Sequence, residues 1–223
     1  MTGVQTCALP IYGSICAGGA GATVLHYTIN DRTLADGELL LVDAAGEYGG
    51  YCADITRTFP VGARFSDGQA TLYDIVLAAQ KKAIEAVRPG IAIEAIHRVA
   101  LGVLIDGLLD VGLLTGSADE CIERNAYALY YMHNTSHWLG MDVHDAGSYR
   151  TNGASRVLEA GMVLTVEPGL YVRGDLPVDE KLRGIGIRIE DDVLVTDGGH
   201  EVLSAGVVKE RGELESIRRS ALS

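Results

Sequence analysis

The stretch MHNTSHWLGMDVHD, residues 132–145, sets His133, His137 and His144 within fourteen residues that include no Lys or Arg. His133 and His137 have the i, i+4 spacing of the helical zinc motif H-E-x-x-H, yet Asn134 stands where that motif needs its glutamate. A metal held here therefore needs ligands from elsewhere in the chain. A lone histidine is ordinarily a satisfied hydrogen-bonding side chain, and His97 and His200 are read so, His97 on a helix surface where replacement by alanine should be nearly silent.

Carboxylates inside strand-like segments supply the other candidates. Residues 39–58, LLLVDAAGEYGGYCADITRT, read as a hairpin turning at Tyr48-Gly49. That turn would set Asp43 directly opposite Asp54, where Cβ atoms lie about 4.5–5.5 Å apart and like charges repel. The arm around Asp43 is apolar on both faces, the pattern of a buried strand. Two acids so placed must share a proton, find cationic partners such as Arg57 or Arg188, or bind metal. Glu167 interrupts MVLTVEPGLYV, and Glu190 ends the alternating run IGIRIE with Arg188 on its side of the strand. Asp191 and Asp192 read as a solvated strand end or turn. There is an internal echo: Gly37, Asp43 and Tyr48 in ADGELLLVDAAGEY match Gly161, Glu167 and, with one residue of slip, Tyr171 in EAGMVLTVEPGLY. Asp43, Asp54, His137, Glu167 and Glu190 together would make an oxygen-rich cage with one nitrogen. Such hard donors favour Mn, Mg, Co or Fe in a two-metal site over the thiolates of structural zinc.

The elements that must position these side chains follow from periodicity. Residues 67–88 carry apolar positions at 72, 75, 76, 79, 83 and 87, a helical stripe that stops at Pro89-Gly90. Further helical patterns cover about 92–111 and 118–130, and from Met162 the chain returns to strands. Hairpin, helices, then strands is an α+β order rather than a regular βαβ array.

Bulk composition excludes several roles. At 223 residues, 48% hydrophobic and 22% charged, the chain suits one sizeable core. A net charge of -12 speaks against a nucleic-acid or anionic-membrane surface. No run approaches the roughly 18 apolar residues of a membrane span. Cys7, Cys16, Cys52 and Cys121 form no C-x-x-C pair, so a reducing cytoplasm is the expected setting.

Four segments, LVDAAGEYGGYCADITRTFPVG, MHNTSHWLGMDVHD, LEAGMVLTVEPGLYV and GIGIRIEDDVLVT, resemble the signature segments of the Xaa-Pro aminopeptidase and prolidase group of metallopeptidases, from about Gly13 to the C-terminus. The resemblance implies the pita-bread fold, a curved antiparallel sheet covered by helices. It implies two divalent metal ions, usually Mn²⁺, held by Asp43, Asp54, His137, Glu167 and Glu190. It also implies that His26, His133 and His144 line the substrate cleft, and that Tyr171 and Arg188 orient the first aspartate. Glu167 would accept a proton from the metal-activated water and return it to the leaving proline nitrogen. The implied substrate is a peptide with proline at its second position. Prolidase, which cleaves X-Pro dipeptides, is the runner-up; a non-catalytic binding module of the same fold is the alternative from another class.

The pattern departs from the family at its start. Relatives carry an N-terminal domain, then helices and a strand, before the segment matching GSICAGG, and that domain often builds a homo-oligomer. Here only MTGVQTCALPIY precedes it. Residues 1–11 look like translated sequencing adapter, which would leave 12–223 as a partial catalytic domain, expected to be poorly soluble and nearly inactive by itself.

Overall fold

The computed structural model describes residues 9–10 and 12–222. Of the segment 1–11 set apart above, the rest, Cys7 included, lies outside the described residues. In chain order the elements are β1 (Leu9–Pro10), β2 (Ile15–Gly18), β3 (Leu39–Ala44), β4 (Gly46–Tyr48), β5 (Tyr51–Cys52), β6 (Ile55–Pro60), α1 (Asp67–Ala86), α2 (Ile93–Asp110), α3 (Ala118–Glu123), β7 (Arg150–Thr151), β8 (Ala154–Ser155), β9 (Val163–Val166), β10 (Gly169–Val172), β11 (Ile185–Arg188), β12 (Asp191–Thr196), β13 (Gly199–Val202) and α4 (Arg211–Ala221).

The two long helices begin and end where local chemistry dictates. Ser66 caps α1 by accepting from the Gln69 amide at 3.3 Å, while the Gln69 side chain accepts from the Ser66 amide at 2.9 Å. The helix stops ahead of Pro89 and Gly90, the latter at φ +85°. Its stripe of Leu72, Val76 and Ala79 is buried against Leu104, Ile105 and Leu108 of α2 and Leu170 and Ile187 of the β10–β11 pair. A second core joins Ala83 and Ile84 of α1 and Ile96 and Ala100 of α2 to Leu164, Val166, Val193 and Val195 of β9 and β12. The helical reading of 118–130 breaks in two: α3 ends near Arg124, Asn125 turns left-handed at φ +53°, and a 3₁₀ turn follows. Helix α4, which the sequence reading did not mark, follows the last strand.

All strand pairs are antiparallel, in small sheets ordered β2-β3-β6, β13-β12-β9 and β10-β11, with β1-β4-β5 and β7-β8 beside them. The expected hairpin exists, but its register is shifted. Gly49 and Gly50, at φ +62° and +86°, make the turn, and Tyr48 pairs with Tyr51. Two left-handed residues suit the two-residue turn that matches strand twist. Asp43 consequently pairs with Thr56, not with Asp54, which sits in the break between β5 and β6. The internal echo has a structural counterpart, since Gly37 and Gly161 both turn left-handed, at φ +84° and +90°, six residues before their acids.

Candidate metal centre

Each acid sits at a strand end, where the backbone stops pairing and the carboxylate can turn inward. Asp43 is near the end of β3, Asp54 precedes β6, Glu167 follows β9 and Glu190 lies between β11 and β12. The histidine segment is extended rather than helical. Leu139 and Val163, His137 and Thr165, and Thr135 and Glu167 are joined by backbone hydrogen bonds of 2.8–3.1 Å, which lay residues 135–139 along β9. The i, i+4 histidine spacing thus carries no helical meaning, and one imidazole comes to the acids from a strand edge.

The side chains converge. His137 Nε2 lies 3.5 Å from Asp54 Oδ2 and 3.5 Å from Glu167 Oε1. Asp54, His137 and Glu190 each offer a donor atom within 4.8 Å of the other two, the one such group among the described residues. Asp43 accepts from Arg188 Nη2 at 2.5 Å, and Arg188 Nη1 donates to the Tyr171 hydroxyl at 3.1 Å. His133 Nε2 is 2.9 Å from that same hydroxyl. His144 packs edge-on to His137, ring centroids 4.3 Å apart. His26 and His144, with Tyr12, Asp43, Asp54 and Val143, line a cavity of about 620 Å³ that opens beside the acids.

Burial makes Glu167 and Glu190 reluctant to ionise. Desolvation pushes the Glu167 carboxyl up to about 7 despite the opposing fields of His137 and Arg188. Glu190, 1% exposed, is held well above the carboxylate range by desolvation and by the charges of Glu167, Asp54 and Asp43. Burial pushes His133 down to about 4, so it is neutral at pH 7. The Glu190 Oε1 atom is buried with no hydrogen-bond partner among the described residues. An orphaned carboxylate oxygen facing other acids and one imidazole fits a hard divalent cation, which would satisfy the lone pairs and remove the repulsion.

Several contributors escaped the sequence reading. The Tyr12 hydroxyl donates to Asp54 Oδ1 at 2.6 Å and also bonds Asp43 Oδ1, bridging the two aspartates that the register no longer sets face to face. Thr56 Oγ1 donates to Glu190 Oε2 at 2.6 Å and accepts from Arg188 Nε at 3.1 Å. Its position two residues from Asp54 was the available signal, because alternate strand residues share a face.

Two expectations are corrected. Asp191 and Asp192 are 0% and 4% exposed, not solvated. Asp191 bonds Arg57, Lys209, Gln80 and Ser204, and Asp192 accepts the Asp54 amide through both oxygens, at 3.3 and 3.2 Å. Packing of β12 between β9 and β13 buries them, which its short polar start concealed. His97 is half-buried rather than on a free helix surface, its Nδ1 2.9 Å from Thr135 Oγ1. His200 does behave as a satisfied residue, its Nδ1 3.0 Å from the Val87 carbonyl.

Comparison with known proteins agrees with this geometry. Residues 3–197 match the pattern of metallopeptidase family M24. The chain is 50% identical over 208 residues to the Xaa-Pro aminopeptidase of Haemophilus influenzae, covering 93% of this chain and 48% of that protein. It is 47% identical over 212 residues to the Escherichia coli enzyme of the same name, covering 95% and 48%. Among solved structures, Pseudomonas aeruginosa aminopeptidase PepP superposes with a TM-score of 0.94 at 49% identity, covering 96% of this chain and 49% of that one. The chain spans about half the length of the curated relatives it matches.

Proposed function

We propose, from the premise that the chain belongs to metallopeptidase family M24, that it acts as a metal-dependent Xaa-Pro aminopeptidase, releasing the residue that precedes proline at a peptide's N-terminus. The observation that carries this reading is the Asp54–His137–Glu190 cluster with Glu167 3.5 Å from His137. Asp43, Asp54, His137, Glu167 and Glu190 would hold two divalent cations, Mn²⁺ being our choice for an oxygen-rich set with one nitrogen. Such ions, when bound, supply Lewis-acid polarisation and an activated water at neutral pH.

The protein's own groups would do the rest. Glu167, 3.5 Å from His137, would accept a proton and pass it to the departing nitrogen. Arg188 and Tyr171 orient Asp43, and His133 steadies the Tyr171 hydroxyl through Nε2 while its Nδ1 is held by the Asn134 carbonyl. His26 and His144 line the cavity in which the peptide would lie. The amide before proline is tertiary and has no N–H, so recognition has to rest on its carbonyl and on the free N-terminus. A cytoplasmic setting and assembly into a homo-oligomer belong to the same proposal.

The test is Mn²⁺-dependent release of the first residue from an X-Pro-containing tripeptide and from an X-Pro dipeptide. Cleavage of the longer peptide is the expected result. Cleavage of the dipeptide alone would favour a prolidase. Glu167→Gln should lower kcat by about 10²–10⁴-fold with little change in KM. Asp54→Ala should cost at least one Mn²⁺ by elemental analysis. A chain that binds Mn²⁺ and cleaves neither peptide would point to a binding module.

A further inference from the structure

Thr135 lies between the two histidines of the metal-binding edge and is fully buried. Its carbonyl accepts the Glu167 amide at 2.8 Å, the last bond of the ladder that sets Glu167 beside His137. Its hydroxyl meets two partners that belong to neither ligand segment: the Tyr131 hydroxyl at 2.7 Å and His97 Nδ1 at 2.9 Å. A threonine hydroxyl has one proton and two lone pairs, so it can bond both at once. His97 stands on α2, whose Ile93, Ile96 and Ala100 are anchored in the core. Its ring stacks on Tyr131 at 5.6 Å, and Tyr131 in turn meets the His133 ring edge-on at 4.8 Å.

We propose that His97, acting through Thr135, is a positioning residue for the edge that carries His137 and Glu167. The inference rests on reading those two residues as metal ligands. A side chain rooted in a packed helix restrains the Thr135 hydroxyl, and the Thr135 backbone restrains the Glu167 amide. Lateral play of the ladder would otherwise alter the 3.5 Å separation of His137 Nε2 from Glu167 Oε1. Groups one bond beyond metal ligands typically change metal affinity by about 10–100-fold when removed.

The experiment compares His97→Ala, His97→Asn, Thr135→Val and Thr135→Ser in the full chain. Mn²⁺ affinity is read by calorimetry, and amide hydrogen exchange of residues 135–139 and 165–167 is read without metal. Asparagine places a polar atom near the Nδ1 position, and serine keeps the hydroxyl. Alanine at 97 and valine at 135 should each weaken Mn²⁺ binding by about 10-fold or more and speed exchange at Glu167, with asparagine and serine restoring most of both. Mn²⁺ binding and exchange at wild-type levels in both His97→Ala and Thr135→Val would overturn the inference. So would a loss in His97→Asn as large as in His97→Ala, since packing alone would then account for it. A wild-type chain that takes up no Mn²⁺ overturns the ligand reading and the inference with it. Wild-type uptake matched by every variant overturns the inference alone.

Discussion

The Tyr12 hydroxyl reaches both Asp43 and Asp54, and the two carboxylates are thereby aimed at one point although their backbones are out of register. Tyr12→Phe removes only that hydroxyl. Mn²⁺ affinity should drop by about 10-fold, as for other groups that orient ligands, and calorimetry would check it. The acids themselves were legible in the sequence because charge inside an apolar strand is costly and so conspicuous. Tyr12 was not, because a single hydroxyl that happens to meet a carboxylate leaves no periodic or compositional trace. Protonation at this scale also sets a pH dependence. The Glu167 carboxyl, ordinarily near 4.5, titrates near 7 in the folded metal-free chain through desolvation. A pKa raised on folding contributes stability that is complete below the unfolded value and lost as pH rises through the folded one. The metal-free chain should therefore lose stability between about pH 5 and pH 8, and Mn²⁺, which favours the ionised acids, should raise Tm more at pH 8 than at pH 5. Equal Mn²⁺-induced shifts at the two pH values would count against the acids as ligands.

Helices were easier to read than hairpins. A stripe over five turns and a Pro89-Gly90 stop agree on the limits of α1 within two residues. A hairpin gives no such redundancy: moving the turn from Tyr48-Gly49 to Gly49-Gly50 changes one residue of sequence and moves every cross-strand partner by two. What decides between them is the left-handed backbone that both glycines adopt, a property the neighbouring tyrosine lacks. Gly49→Ala at φ +62° should accordingly cost about 1–2 kcal/mol, although nothing stands within 4 Å of the added methyl. Urea unfolding would measure it. The variant should also bind Mn²⁺ less tightly, because the same turn fixes where Asp54 sits relative to Asp43. Gly198→Ala, with no such conformation and equal space, serves as the control.

Across the whole molecule, one buried carboxylate ties the site to the scaffold. Asp191 receives Arg57 Nη2 at 2.7 Å, Gln80 Nε2 at 2.7 Å, Ser204 Oγ at 2.6 Å and the Lys209 ammonium. Its partners therefore come from β6, α1, the loop after β13 and the segment ahead of α4. Arg57 also donates to the carbonyls of Glu190, Thr56, Val207 and Val208, so the cation that neutralises Asp191 also pins the backbone of a proposed ligand. Desolvation alone would raise the Asp191 pKa, but Arg57 and the bonds from Lys209 and Ser204 outweigh it and hold the carboxyl below the usual range. It is thus ionised at neutral pH. Asp191→Ala would strand Arg57 and Lys209 beside a void, the case in which breaking a buried pair costs about 3–5 kcal/mol. Against a total stability of about 5–15 kcal/mol for a domain, that is a large fraction. Asp191→Asn keeps the shape and some hydrogen bonds and should cost less. Because Arg57 reaches the Glu190 carbonyl, the alanine variant should also lose Mn²⁺ affinity under conditions where circular dichroism shows it still folded. Loss of stability with metal affinity untouched would mean that the Asp191 network holds the scaffold together but does not set the position of Glu190.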